Sequence, residues 1–465
     1  MPVYALAIDI GASGGRHILG CVQNGRLIIE EAYRFPNGMA ERSGRLCWDV
    51  DALWRHVLEG MKRCAAAGRR PASVGVDTWG VDYVLVDRHN RRVGDCVAYR
   101  DGRTAPVLNV LPDDWLYGRT GIAKQPFNTV YQLMATPKEE LAQADRCLMM
   151  PDYFHFLLSG VKANEYTDAS TGALLNAETR TWDGDVLTAA GIPARLFPEP
   201  PVQPSVQLGV LLPQVAAEAG FGCRVILPAS HDTGSAYLAV PALDDRAVTL
   251  SSGTWSLLGV ENRFPVTGEA ARAAGFSNEG GYGGTVRFLR NIMGLWMMQC
   301  IRHELNDRYT YAELAELAQR GAAYAPVVDV ADNRFLAPAS MIDEVKAALA
   351  QQGAPPPDGL PELLRCVLHS LAASYRSGIR ALEELTGKRF TALHIVGGGS
   401  RNRALNQWTA DETGLPVYAG PVEGTALGNV IAQLIALGEI ESLARARAMI
   451  RESFAVTTYQ PQEGA

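Results

Sequence analysis

The chain has 465 residues, 47% of them hydrophobic and 20% charged, with a net charge of −7. That is the balance of a globular protein too long for one ordinary core, so two domains are expected. It argues against nucleic acid as the main partner, since no long basic run is present, and against a membrane span, since no apolar stretch is long enough.

Met1-Pro-Val leads directly into a strand, with no basic segment or cleavage site, which predicts a cytoplasmic protein without a leader. The eight cysteines are scattered and form no C-x-x-C pair, so they read as reduced thiols. Tyr4 to Ile10 is an apolar, β-branched run interrupted by Asp9. Gly11, Gly14 and Gly15 follow, and then a second apolar run, His17 to Val22. The pattern predicts a hairpin whose glycines admit φ > 0 and let a ligand approach the backbone. Converging N–H groups in such a turn form a nest for phosphate, and a carboxylate beside it is placed to hold hydrated Mg²⁺. A surface hairpin with a capped Asp9 is the plain structural alternative. Neither a Walker A loop nor a dinucleotide fingerprint fits, because no Gly-Lys-Ser/Thr follows and the turn leads into a strand.

Arg26 to Phe35 predicts a third strand. Asp51 reads as the N-cap of a helix carrying Leu53, Trp54, Val57, Leu58, Met61 and Cys64 at helical spacing, which stops at Ala67-Gly68. Ala72 to Val86 predicts a buried strand, a polar break and another strand. Trp79 reads as core, and Gly80 as either a bulge or a place where a small polyol touches the backbone. Residues 105–225 read as helical and loop-like, with helices at 127–133 and 149–158; His155 sits among apolar neighbours and reads as a core histidine. Cys223 to Ala236 runs strand, polar turn, helix, with Asp232 in the first turn, where a simple cap is the ordinary reading. His231, Asp232 and Thr233 also put three polar side chains at a strand end, where α/β proteins bind ligands.

Ala247 to Val260 repeats the opening pattern around Gly253, which suggests an internal duplication with nucleotide held between two related domains. Arg290 to about Leu305 reads as one helix, with Asn291 and Gln299 as its polar members. Leu363 to Leu385 predicts a long amphipathic helix. Leu393 to Val396, three glycines (397–399) and a helix from Ala404 to Thr413 offer bare backbone to a phosphate-bearing ligand.

Eight ordered strings carry a resemblance. They are Asp9-Ile-Gly-Ala-Ser-Gly-Gly-Arg16, Asp77-Thr-Trp-Gly-Val-Asp82, Ala98-Tyr-Arg-Asp101, Met150-Pro-Asp-Tyr-Phe154, Ser230-His-Asp-Thr233, Leu250-Ser-Ser-Gly-Thr-Trp-Ser256, Asn291-Ile-Met-Gly-Leu-Trp296 and His394-Ile-Val-Gly-Gly-Gly399. Over essentially its full length the chain resembles the FGGY carbohydrate kinases of the actin/hexokinase/heat-shock ATPase superfamily. Gly14 departs from the pattern, which usually has Ser there.

The resemblance implies an α/β, actin/hexokinase-like (ribonuclease H-like) fold of two domains, 1–241 and 242–465, with mixed sheets flanked by helices and an active-site cleft between them. It implies a kinase with ATP as co-substrate, Mg²⁺ as cofactor and a ketose as acceptor. L-rhamnulose stands first; L-fuculose, L-xylulose and L-ribulose are the alternatives, and a non-catalytic sugar or nucleotide sensor a remote one. Asp232 would be the catalytic base. Gly80, His231, Asp232, Thr233 and Asn291 would contact the sugar. Ala12, Ser13, Gly14, Gly15, Arg16 and Thr254 would hold phosphates, Gln299 and Gly398 the nucleotide, and Asp9 the metal through water. A monomer or homodimer is expected, with no nucleic-acid or membrane partner.

Overall fold

The computed structural model describes residues 2–242 and 244–462. In chain order the elements that position the site begin with β1 (Ala5–Gly11), β2 (Gly14–Gln23), β3 (Arg26–Pro36), α1 (Val50–Ala66) and β4 (Ser73–Thr78). They continue through α2 (Met150–Ser159), β5 (Gln207–Val210), β6 (Arg224–Ile226) and α3 (Asp232–Leu238). Then come β7 (Ala247–Ser252), β8 (Trp255–Asn262), β9 (Phe276–Gly280), β10 (Val286–Met293) and α4 (Trp296–Glu304). The rest are α5 (Leu360–Thr386), β11 (Ala392–Val396), α6 (Arg403–Thr413), β12 (Val417–Ala419), α7 (Gly424–Ala436) and β13 (Thr457–Tyr459).

Packing divides the chain into two compact units, each discontinuous in sequence. The first comprises Met1–Ala239, Glu261–Phe288 and Gly424–Ser453; the second comprises Val240–Val260, Leu289–Glu423 and Phe454–Ala465.

The first unit is built on a six-stranded mixed sheet in the order β5-β6-β4-β1-β2-β3. Hairpin β1–β2 is antiparallel, while β1 runs parallel to β4 and β4 parallel to β6. Parallel strands buried on both faces read as continuous apolar runs, as Ala5-Leu-Ala-Ile does here with every residue at 0% exposure. Helix α7 packs on this sheet through side-chain amides. Gln433 Nε2 donates to the Leu6 carbonyl at 2.9 Å and Ser73 Oγ donates to Gln433 Oε1 at 2.7 Å. Asn429 Nδ2 donates to the Gly75 carbonyl at 3.2 Å and to Asp77 Oδ2 at 2.5 Å. In the second unit β7 pairs antiparallel with β8 and parallel with β11; β11 is followed by parallel β12 and antiparallel β13. Each unit thus opens with a hairpin whose first strand is also paired in parallel, the arrangement expected of a duplication.

Three local expectations change. The cap of α1 is Asp49, whose Oδ1 accepts from Ala52 N at 2.9 Å, while Asp51 instead pairs with Arg92 at 2.8 Å. The segment read as helical and loop-like contains the strand Arg146–Met149, antiparallel to Tyr83–Val86. Finally, 290–305 is not one helix, since Arg290 to Met293 end β10 and α4 starts at Trp296. The break has a physical cause: the N–H groups of Leu295 and Trp296 are taken by the hairpin carbonyls of Gly253 and Thr254, both at 3.1 Å. Gly294 allows that approach, since a Cβ there would stand 2.6 Å from the Trp255 carbonyl carbon.

Candidate active site

In the first unit the polar residues gather at the carboxyl ends of adjacent parallel strands, where open α/β sheets place ligands. Asp9 on β1 stands in register with Asp77 on β4. The next residue, Thr78, bridges His231, and its N–H donates to the Ser230 carbonyl at 2.9 Å. Sheet register therefore brings Asp9, Asp77 and the His231-Asp232 pair to one edge.

Asp232 is the first residue of α3 and accepts from Thr233 N at 2.5 Å and Thr233 Oγ1 at 3.1 Å, both on Oδ1. Its side chain keeps 33% exposure. Burial raises its carboxyl above the ordinary aspartate range and the Asp9 charge adds to this, while His231 opposes it. A carboxylate so raised is better matched to accept a proton near neutral pH. Asp77 is fully buried and pushed well up by burial and by Asp9, with the Asn429 hydrogen bond opposing. Its Oδ1 has no hydrogen-bond partner among the described residues.

The backbone of the Ser230-His231 pair is held from beneath. Ser230 N donates to Glu165 Oε2 at 3.0 Å, and His231 N donates to Thr167 Oγ1 at 3.2 Å. Thr167 in turn donates to Glu165 Oε2 at 2.5 Å. The imidazole Nε2 lies 3.4 Å from Asp232 Oδ1. A Cβ on Gly80 would stand 3.3 Å from the same nitrogen and 3.0 Å from Thr171. Gly80 is therefore a bare stretch of backbone between two polar side chains. Val81 follows at φ 69°, a rare conformation for a β-branched residue. His155 is a core residue, accepting from Val76 N at 2.9 Å.

Gly11 pairs with Gly14, leaving Ala12 and Ser13 as the tip of the β1–β2 hairpin. Ser13 is exposed and Ala12 and Gly14 half-buried. Asn37 braces the turn, its Nδ2 donating to the Gly11 carbonyl at 2.9 Å and its N–H to the Ser13 carbonyl at 3.3 Å. Gly15 lies against the Phe35 ring, where a side chain has no room. Arg16 Nε and Nη2 donate to Asp9 Oδ2 at 2.9 and 2.8 Å.

In the second unit the β7–β8 turn, α4 and the glycine run come together. Gln299 Nε2 donates to Thr254 Oγ1 at 3.3 Å. Gly397 takes φ 86° with the Ser252 carbonyl 2.8 Å from where its Cβ would be. Gly398 is exposed, with open space where a side chain would project. Asn291 is half-buried near the end of β10.

Residues that sequence reasoning did not single out are Asp77, Glu279, Arg287 and Asn37, while Glu165, Thr167 and Thr171 read in sequence as a polar patch between elements and no more. The Asp77-Thr-Trp-Gly string contained one of them, and an arginine inside the apolar Val286-Arg-Phe-Leu run was the available signal for another.

Known proteins share this architecture. The chain matches the "FGGY family of carbohydrate kinases, N-terminal domain" over residues 4–239 and the "FGGY family of carbohydrate kinases, C-terminal domain" over 248–437. It is 47% identical to a curated rhamnulokinase of Halalkalibacterium halodurans, with 98% of each chain covered. It is 44% identical to that of Oceanobacillus iheyensis, covering 98% of this chain and 97% of the relative. Among solved structures it superposes on a ligand-bound xylulose kinase from Lactobacillus acidophilus with a TM-score of 0.82 at 17% identity, covering 99% and 94% of the two chains. The chain belongs to the FGGY family of carbohydrate kinases, two-domain enzymes that phosphorylate a sugar at the expense of ATP.

Proposed function

We propose that the chain is a rhamnulokinase of L-rhamnose breakdown, which transfers the γ-phosphoryl group of ATP to the 1-hydroxyl of L-rhamnulose and yields L-rhamnulose 1-phosphate and ADP. The observation that carries this reading is the near full-length identity to curated rhamnulokinases. Asp232 accepts the proton of the sugar hydroxyl as its oxygen bonds to phosphorus and the bond to ADP breaks. A loose phosphoryl-transfer transition state asks little of the base, so most of the acceleration comes from positioning and charge stabilisation. Gly80, His231, Thr233 and Asn291 hold the sugar. Ala12 to Arg16 and Thr254 hold phosphates, and Gln299 and Gly398 the nucleotide. The sequence half 1–241 carries sugar binding and the phosphate hairpin, and 242–465 carries nucleotide binding.

Asp9 would hold Mg²⁺ through water. Asp9 and Asp77 offer the hard oxygen donors this cation takes. Asp77 Oδ1 is buried without a hydrogen-bond partner among the described residues, and a cation that keeps several of its waters takes only one or two carboxylates. When bound, the cation neutralises charge on the phosphates. Among the described residues no helix is long and apolar enough to cross a membrane. We place the enzyme in the cytoplasm as a monomer or homodimer, without a nucleic-acid partner.

The test is coupled ADP release with Mg·ATP against L-rhamnulose, L-fuculose, L-xylulose and L-ribulose, with a no-sugar control. A kcat/KM preference for L-rhamnulose is expected. Preference for another ketose would replace the substrate and keep the chemistry. Absent ADP release with every one of these sugars, from folded protein that still binds ATP, would point to a substrate outside the panel or to the sensor reading.

A further inference from the structure

Arg287 on β10 is wholly buried, at 0% exposure. A guanidinium stays charged in proteins and is costly to bury unless every donor is answered. Its contacts gather around the residue before the proposed base. Nε donates to the Gly280 carbonyl at 2.7 Å, and Nη2 donates to the Thr167 carbonyl at 3.4 Å and meets His231 Nδ1 at 3.2 Å. Nη1 is 3.1 Å from Glu279 Oε2. Burial pushes the Glu279 carboxyl up, but the Arg287 charge beside it helps to bring it below the ordinary glutamate range.

A guanidinium only donates, so the ring nitrogen facing it must accept, and the proton of the neutral imidazole then sits on the other nitrogen. Glu279 Oε2 comes within 3.3 Å of Nδ1, but the aligned hydrogen bond at that nitrogen is the one from Arg287. We infer that Arg287, balanced by Glu279, is a positioning residue that fixes His231 as the neutral ring with Nδ1 bare and the Nε2–H turned toward Asp232 and Gly80; the inference rests on the reading of those residues as the sugar site. A donor is thereby set beside an acceptor. A sugar hydroxyl, which both gives and takes hydrogen bonds, is held by that pairing.

The experiment reads the ring directly, without substrate. Long-range ¹H–¹⁵N NMR of the full-length protein with ¹⁵N-labelled histidine is compared with His231→Gln to identify the His231 signals. The expected wild-type result is an unprotonated Nδ1 and a protonated Nε2 at neutral pH. In Arg287→Met the Nδ1 acquires a proton facing Glu279. The KM for sugar rises about tenfold, the worth of one aligned hydrogen bond, while the KM for ATP stays within about twofold. Arg287→Lys, which retains a donor, recovers most of the loss; a merely structural role would not give that pattern. A proton on Nδ1 in the wild type overturns the inference, as does an Arg287→Met protein with unchanged tautomer and sugar KM. If Arg287→Met does not fold, the wild-type spectrum decides alone. The expected spectrum in a protein that phosphorylates no ketose would overturn the rhamnulokinase reading and leave the tautomer assignment standing.

Discussion

Thr171 Oγ1 accepts the N–H of Val81 at 3.0 Å, and so grips a β-branched residue in the left-handed region of the backbone. Thr129 Oγ1 and Gln132 Nε2 hold the carbonyl of the same residue at 2.7 and 3.2 Å. A conformation of this kind costs about 1–3 kcal/mol and persists only where its surroundings enforce it. Thr171→Val keeps the shape and deletes the acceptor, leaving a buried N–H unpaired. It should lower stability by about 1–3 kcal/mol and raise the KM for sugar more than that for ATP. Urea unfolding with steady-state kinetics checks both, and an unchanged midpoint would mean that Thr171 does not hold the turn.

Gly80→Ala tests the bare backbone beside it. The added methyl group would meet Thr171 Cγ2 and Oγ1 at 3.0 Å and His231 Nε2 at 3.3 Å, with protein on both sides. Crowding of this degree forces small shifts in well-packed surroundings. The KM for sugar should rise about tenfold, equivalent to roughly 1.4 kcal/mol, with little change in the KM for ATP. An unaltered sugar KM would put Gly80 outside the site.

Asp232→Asn removes the proton acceptor while keeping a side chain of the same shape on the first turn of α3. Loss of a general base costs about 10²–10⁴ in rate. We expect kcat to fall by at least the lower figure while calorimetry still detects ATP binding. Near-native turnover in this variant would mean that another group takes the proton.

Glu165 links the support of His231 to pH. Burial pushes its carboxyl from 4.5 up to about 7, with the Asp152 charge adding and hydrogen bonds from Thr167 and Ser230 opposing. The folded protein therefore holds a proton that the unfolded chain has released. The stability this contributes is complete below about pH 4.5 and lost as pH rises through about 7. Glu165→Gln removes the titration but keeps an oxygen to accept from Ser230 and Thr167. The fall in stability between about pH 5 and about pH 8 should shrink by on the order of 1–3 kcal/mol. Part of the slope should remain, because Asp77, Asp152 and Asp168 are raised by burial in the same direction. Melting at the two pH values reads the difference, and identical slopes would show that Glu165 stays ionised in the fold.

Gly14 sits in the β1–β2 hairpin turn, half-buried. A Cβ there would approach the Phe35 carbonyl oxygen to 3.0 Å, because β3 runs close behind the turn. Gly14→Ser should therefore gain no ATP affinity from the new hydroxyl and should lose about 1 kcal/mol of stability through overpacking. Tighter ATP binding with full stability would show that the turn opens easily.

What the sequence displayed were features local in the chain. The apolar run broken by Asp9, the glycine turn, the His231-Asp232-Thr233 step into α3 and the Gly397–Gly399 run each lie within a dozen residues, and each has a turn chemistry of its own. Arg287 and Glu279 were hidden because they reach the site from distant positions, and a lone charge in a strand looks the same in sequence whether buried or solvated; the polar patch from Glu165 to Thr171 was visible, but not what it supports. The helix expected from Arg290 failed for a related reason. The Met/Trp spacing is helical from Trp296 onward, but carbonyls of a turn some forty residues earlier decide where the helix begins. Asp49 rather than Asp51 caps α1 by a choice between two equally suited side chains two positions apart.

Helix α7 lies near the end of the sequence, yet its Asn429 and Gln433 amides answer the backbone of Leu6, strand β4 and the carboxylate of Asp77. Ribosomal synthesis delivers those amides last. A nascent chain released as far as residue 423 already contains β1, β4 and α3, but the buried Asp77 carboxylate still lacks the Asn429 amide, and Leu6 and Gly75 lack the side-chain amides of α7. The first unit therefore cannot settle while its own residues emerge, and must wait for the second unit's chain to be made. Chaperone dependence during translation should accordingly persist until residues 424–436 have cleared the exit tunnel.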